Sequence, residues 1–91
     1  MDIDSLFQII QDRKDYPKEG SYTNSLFSAG EDEILKKVGE EAMEVILAAK
    51  AQGDHRLVEE IADLTYHVLV LLAYRNLTPQ DIRSELSQRH K

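Results

Sequence analysis

The sequence predicts an all-α fold: a helical hairpin of two long helices with shorter flanking helices, pairing in a dimer into a four-helix-bundle core. Three observations carry this expectation. Apolar residues recur with a helical period nearly throughout, and β-branched residues alternate nowhere. Only two prolines and four glycines punctuate the 91 residues. Finally, the stretch around Leu64, Val68, Leu69, Val70, Leu71 and Leu72 is apolar on several sides of one helix, more than a single partner helix covers. In so short a chain the simplest missing cover is a second copy.

Taken in order, Asp4 is expected to cap a first helix carrying Leu6, Phe7, Ile9 and Ile10, which ends before Tyr16-Pro17-Lys18-Glu19-Gly20. Ser21-Tyr22-Thr23-Asn24-Ser25 reads as a polar stretch before Leu26-Phe27. Gly30-Glu31-Asp32 opens a long helix running to about Gln52, and Gly53-Asp54 stops it. A fourth helix runs from about His55 to Arg75, antiparallel to the third. Thr78-Pro79-Gln80-Asp81 is a start signal, with Thr as N-cap, Pro in the first turn and an acid beside it. The last helix carries Ile82 and Leu86 and frays into Gln88-Arg89-His90-Lys91. No repeat or linker divides residues 1–91, so a single domain is expected.

Composition narrows the function. Apolar residues are 42% and charged residues 31%, the balance of a soluble globular chain. The longest apolar run, Val68 to Tyr74, is far too short for a bilayer, and Met1-Asp2-Ile3-Asp4 lacks signal-peptide architecture. The absence of cysteine excludes disulfides, thiol catalysis and Cys-ligated zinc, and fits a cytoplasmic location. A net charge of −6, from 17 acids against 11 bases, excludes the basic footprint of a nucleic-acid binder. A phosphate ligand would then need a local basic patch or a bridging metal.

The acids favour the metal. They concentrate in Glu40-Glu41-Ala42-Met43-Glu44 and Glu59-Glu60-Ile61-Ala62-Asp63. On a helical wheel the third helix has an apolar arc of Ile34, Val38, Val45, Ala49, Ala42, Leu35 and Ile46, with Glu41 at its edge and Glu44 one step further round. In the fourth helix Glu60 is nearly in line with Leu64 and Leu71, and Asp63 flanks it. Buried carboxylates are costly without partners, and two pairs facing across a hairpin repel unless a cation or protonation relieves them. An all-carboxylate cluster suits a hard ion, with Mg²⁺ the natural candidate and Mn²⁺ a substitute. The opposing reading is a solvated face with Lys partners, which fits Glu31, Asp32, Glu33, Glu40 and Glu59 taken on pattern alone.

Further residues join the candidate site. Gly39, inside a helix immediately before the acids, marks either a close approach or plain packing. His67, one turn beyond Asp63, is either a partner supporting a carboxylate or a satisfied core histidine. Lys36, Lys37 and Lys50, with the hydroxyls of Ser21, Tyr22 and Thr23, are suited to a phosphate chain, although a polar turn explains Ser21-Tyr22-Thr23 as well. No nucleophilic triad or H-E-x-x-H string exists, and the glycines form no phosphate-cradling loop.

Ser21-Tyr22-Thr23 with Leu26-Phe27 and Gly30, Ile34, Lys36-Lys37-Val38-Gly39-Glu40-Glu41-Ala42 with Glu44, Ala48-Ala49-Lys50, and Glu60-Ile61-Ala62-Asp63-Leu64 with Tyr66-His67 together resemble the phosphoribosyl-ATP pyrophosphohydrolases. These are all-α, MazG-like enzymes of histidine biosynthesis. The E-x-x-E and E-x-x-D strings are shared across the superfamily, whereas S-Y-T and K-V-G-E-E-A point to this family. The resemblance implies hydrolysis of phosphoribosyl-ATP to phosphoribosyl-AMP and pyrophosphate, with Mg²⁺ on Glu41, Glu44, Glu60 and Asp63. It implies water attack between the α and β phosphates, with Glu40 or Glu41 as base. Members often carry lysine where this chain has Glu33, so no phosphate role passes to that position. The cyclohydrolase that follows in the pathway, fused on the N-terminal side in some organisms, is expected on a separate chain. Two other readings stay open: a house-cleaning nucleoside triphosphate pyrophosphohydrolase, and a non-catalytic helical dimerisation module.

Overall fold

Five helices and no strand carry the chain in a computed structural model that describes residues 1–91. They are α1 (Ile3–Asp15), α2 (Tyr22–Ala29), α3 (Glu31–Ala51), α4 (Gly53–Tyr74) and α5 (Pro79–Arg89). The all-α expectation holds, and α3 and α4 form the most extensively packed pair. No helix is long and apolar enough to cross a membrane.

Local chemistry sets the boundaries, with three shifts from the sequence reading. Asp2, not Asp4, caps α1: its extended backbone (φ −109°, ψ 178°) aims the carboxylate at the Ser5 N–H, 2.8 Å away. That bond holds the Asp2 carboxyl below its ordinary range. Asp4 falls in the first turn and pairs instead with Arg83 of α5 at 3.0 Å. The polar stretch at 21–25 is largely helical, with Ser21 as the N-cap of α2; its Oγ accepts from the Asn24 N–H at 3.3 Å. Thr78 is the N-cap of α5 as expected, with Pro79 in the first turn, and it forms a capping box with Asp81.

The third shift is at the hairpin. α4 starts at Gly53, so Gln52 alone separates the two long helices. Gly53 reverses the chain at φ +85°, a left-handed conformation that side chains other than glycine rarely adopt. At its far end α4 closes on Asn76 at φ +60°, and the Leu77 N–H returns to the Leu72 carbonyl at 2.8 Å. Lys14 of α1 reaches over this end and donates to the Ala73 carbonyl at 2.7 Å and to Asn76 Oδ1 at 2.6 Å.

The core gathers Ile10, Leu26, Ile34, Leu69, Val70, Leu72 and Ala73, with Leu6, Phe7, Phe27 and Tyr66 packed against it. This corrects the reason given for a dimer: α1 packs on α4 and joins it in the core, so Leu69, Val70 and Leu72 are buried within one chain. A different surface remains uncovered. The apolar arc of α3 divides, with Ile34 and Ala48 buried while Leu35 and Ile46 stay half exposed alongside Met43 and Leu47. Val58 and Ile61 of α4 are likewise exposed. Gly39 lies on the exposed side of α3 and meets no atom within 4 Å of where a Cβ would stand, so the close approach expected there does not occur inside the chain. The radius of gyration, 14.2 Å, exceeds the about 12 Å of a compact domain of this length, as a protruding hairpin requires.

Candidate metal centre

The one-residue turn explains how distant acids meet. In an antiparallel hairpin, residues equally far from the turn lie level along the helix axes. Glu41 and Asp63 stand equally far from Gln52 on either side, and Glu60 lies one turn from Asp63. The side-chain packing agrees: one oxygen each from Glu41, Glu60 and Asp63 come within 4.8 Å of one another. Glu60 is buried (5% exposed), Glu41 is half-buried and Asp63 is exposed, so the cluster runs from the hairpin interior to its surface. An all-oxygen, all-carboxylate donor set open on one side fits Mg²⁺, which keeps several waters and shares substrate phosphates. Glu44, the fourth expected acid, does not join the three convergent carboxylates.

Two cations flank the acids. Arg56 Nη2 donates to Glu60 Oε1 at 2.5 Å while its Nη1 donates to Glu59 Oε1 at 2.9 Å. These bonds and the charges of both glutamates outweigh slight desolvation and raise the guanidinium above its already high range. On the other side Lys37 Nζ lies 3.7 Å from Glu41 and donates to Glu40 at 3.3 Å. Burial pulls the Lys37 ammonium down, but the bond to Glu40, the Tyr22 phenol and the charges of Glu40 and Glu41 together leave it above ordinary lysine. Glu40 is occupied by Lys37 and, at 3.9 Å, by Lys36, so its carboxylate is tied to the two lysines. Lys50 is exposed in the last turn of α3, about 13 Å along the axis from Glu41, and stands apart from the cluster.

The hydroxyl segment and His67 form one network. His67 is buried; its Nδ1 lies 2.7 Å from the Asp63 backbone carbonyl, which only accepts, so Nδ1 carries the proton. Nε2 is then the acceptor for the Tyr22 hydroxyl at 3.0 Å. Thr23 Oγ1 bonds the Tyr66 hydroxyl, and the Tyr22 and Tyr66 rings stack with centroids 6.2 Å apart. His67 therefore supports the Asp63 backbone, not a carboxylate. The hydroxyls of Tyr22 and Thr23 face α4, and that of Ser21 caps α2. Partial burial raises the Tyr66 phenol above its usual 10.0, against the lowering effect of the Thr23 bond.

The sequence reading passed over Arg56 and Tyr66 as site residues. Arg56 carried a usable signal, an Arg at i−4 to the most inward acid. Tyr66 carried none locally, because its partner is far away in sequence.

Comparison with known proteins gives the fold and cluster their context. Residues 3–90 match the family model described as phosphoribosyl-ATP pyrophosphohydrolase. A phosphoribosyl-ATP pyrophosphatase of Clostridium botulinum is 56% identical over 89 residues, covering 98% of this chain and 81% of the relative. One from Pelotomaculum thermopropionicum is 53% identical over 98% of this chain and 91% of its own length. One from Limosilactobacillus fermentum is 56% identical over 97% of this chain and 83% of its own. With a match that runs through every helix and both acidic strings, the chain belongs to the phosphoribosyl-ATP pyrophosphohydrolase family.

Proposed function

We infer that this chain hydrolyses phosphoribosyl-ATP to phosphoribosyl-AMP and pyrophosphate, the step of histidine biosynthesis for which its relatives are named. The observation that carries the reading is the convergence of Glu41, Glu60 and Asp63 in a chain of this family. These three would hold Mg²⁺, with Glu44, one turn beyond Glu41, completing the set. When bound, the ion supplies charge neutralisation on the triphosphate and a template for the attacking water.

The chain's own groups do the rest. Glu41 takes the proton from the water, since Glu40 is held by two lysines. Lys37, beside Glu41, offers its ammonium to the phosphates. The water's oxygen joins phosphorus as the bond between the α and β phosphates breaks, and pyrophosphate leaves. Positioning and charge stabilisation account for most of the rate in such transfers.

The second phosphoribosyl group separates this substrate from ATP. With the hydroxyls of Tyr22 and Thr23 turned inward, the backbone N–H groups of Tyr22 and Thr23, the first of α2, are the donors suited to its phosphate. A homodimer is part of the proposal: Leu35, Gly39, Met43 and Ile46 line one side of α3, near exposed Val58 and Ile61 of α4. A helix from a second copy seated there would bury this stripe and use the open space at Gly39.

Pyrophosphate release tests the activity, with phosphoribosyl-ATP set against a panel of common nucleoside triphosphates in the presence of Mg²⁺. Release from phosphoribosyl-ATP well above the panel is expected. Equal release from ordinary triphosphates would make the chain a general pyrophosphohydrolase.

A further inference from the structure

We propose that Arg56 is a counter-ion which a divalent cation must displace from Glu60, and that the displaced guanidinium then grips the substrate's phosphates. The proposal rests on the metal-site reading above and concerns a residue which that reading leaves out. Glu60 has only 7% of its side chain exposed, and a carboxylate so placed needs a compensating charge. The charge it has is Arg56, whose Nη2 sits 2.5 Å from Glu60 Oε1. A guanidinium does not shed its proton at any ordinary pH, so it competes with a metal ion for that carboxylate as a permanent cation.

The two flanking cations differ in a way that singles out Arg56. Lys37 is 3.7 Å from Glu41 and bonded mainly to Glu40, so a metal takes Glu41 without uprooting it. Arg56 is bonded to Glu60 Oε1 directly, and its grip on exposed Glu59 tethers it beside the cluster once Glu60 is taken. The guanidinium is half exposed, so it rotates without opening the core. Its planar fork matches a phosphate better than a point charge does. Displacement from Glu60 therefore delivers a phosphate ligand at the moment the metal arrives.

The test is calorimetric titration with Mn²⁺, nucleotide absent, on the wild type, Arg56→Gln and Arg56→Lys. KM for phosphoribosyl-ATP is then measured at saturating Mn²⁺, with circular dichroism to check the helices. Removing a unit charge beside a divalent ion should tighten Mn²⁺ binding roughly tenfold in Arg56→Gln. KM should rise roughly tenfold with kcat little changed, as expected for loss of a charged hydrogen bond. Arg56→Lys should keep the wild-type Mn²⁺ affinity and still raise KM, because it retains the charge and loses the fork. Absence of Mn²⁺ binding by the wild type would refute the metal-site reading itself. With wild-type binding intact, an unchanged or weaker Mn²⁺ affinity in Arg56→Gln, or an unchanged KM, overturns the exchange alone.

Discussion

Glu60→Gln and Asp63→Asn each keep the size of the side chain and remove the charge that a hard cation seeks. Each should lower turnover by roughly a hundredfold or more, in the range of lost transition-state electrostatics, with unchanged helicity by circular dichroism. Turnover near wild type in either variant takes that residue out of the metal's ligands. Glu44→Gln decides whether a fourth carboxylate swings in: weaker Mn²⁺ binding is expected, and unchanged binding confines the ion to Glu41, Glu60 and Asp63. These acids were legible because a helical wheel places them against apolar neighbours, where an ordinary surface glutamate would not sit. The role of Tyr22 and Thr23 was not, since their partners His67 and Tyr66 lie more than forty residues on. Asp2 and Asp4 are equally good caps by composition, and only the backbone angle at Asp2 tells them apart.

Among the elements, α2 is held at its start by two side-chain bonds to α4. Thr23→Val keeps the shape and breaks the bond to Tyr66, loosening the start of α2. KM for phosphoribosyl-ATP should rise while Mn²⁺ affinity stays unchanged; equal losses for phosphoribosyl-ATP and ATP would mean that α2 touches the triphosphate they share. The same docking makes the chain sensitive to alkali. The Tyr66 phenol is raised above 10.0 in the folded chain, chiefly by partial burial, so the folded state holds this proton more tightly than the unfolded one. Its contribution is fully present below about pH 10 and is lost as pH climbs through the folded value. Denaturant midpoints measured from pH 8 to 11 should fall above pH 10, and less steeply in Tyr66→Phe. An equal fall in both would assign the effect to other groups.

For the molecule as a whole, the stripe on the outer side of α3 makes assembly the central question. Ile46→Glu places a charge at the hairpin end of that stripe and leaves the buried side of the helix untouched. Light scattering should report twice the 10.4 kDa chain mass for the wild type and a single chain for the variant. A wild-type monomer at micromolar concentration would leave the stripe for some other partner. The hairpin, α1 and α5 and their order were readable from period, glycines and caps, whereas α2 read as a polar stretch. Which apolar surface is left over was not, because a helix apolar on several sides does not reveal whether its cover comes from the same chain. Here the same chain supplies it for Leu69, Val70 and Leu72, and the unmet surface moved to α3.

The turn at Gln52 and Gly53 has a consequence for which length changes this chain can accept. Surface connections ordinarily absorb insertions and deletions. Here the connection is a single residue, and each residue added without slack rotates α4 by about 100° and shifts it about 1.5 Å against α3. One alanine inserted after Gln52 would carry Glu60 and Asp63 away from Glu41 while both helices remain intact. The same alanine inserted between Lys18 and Glu19, in the longer link from α1 to α2, leaves the hairpin alone. The first variant should stay helical and lose Mn²⁺ binding, and the second should keep it. This one-residue loop thus acts as a ruler for the carboxylates, and drift in length has to occur elsewhere.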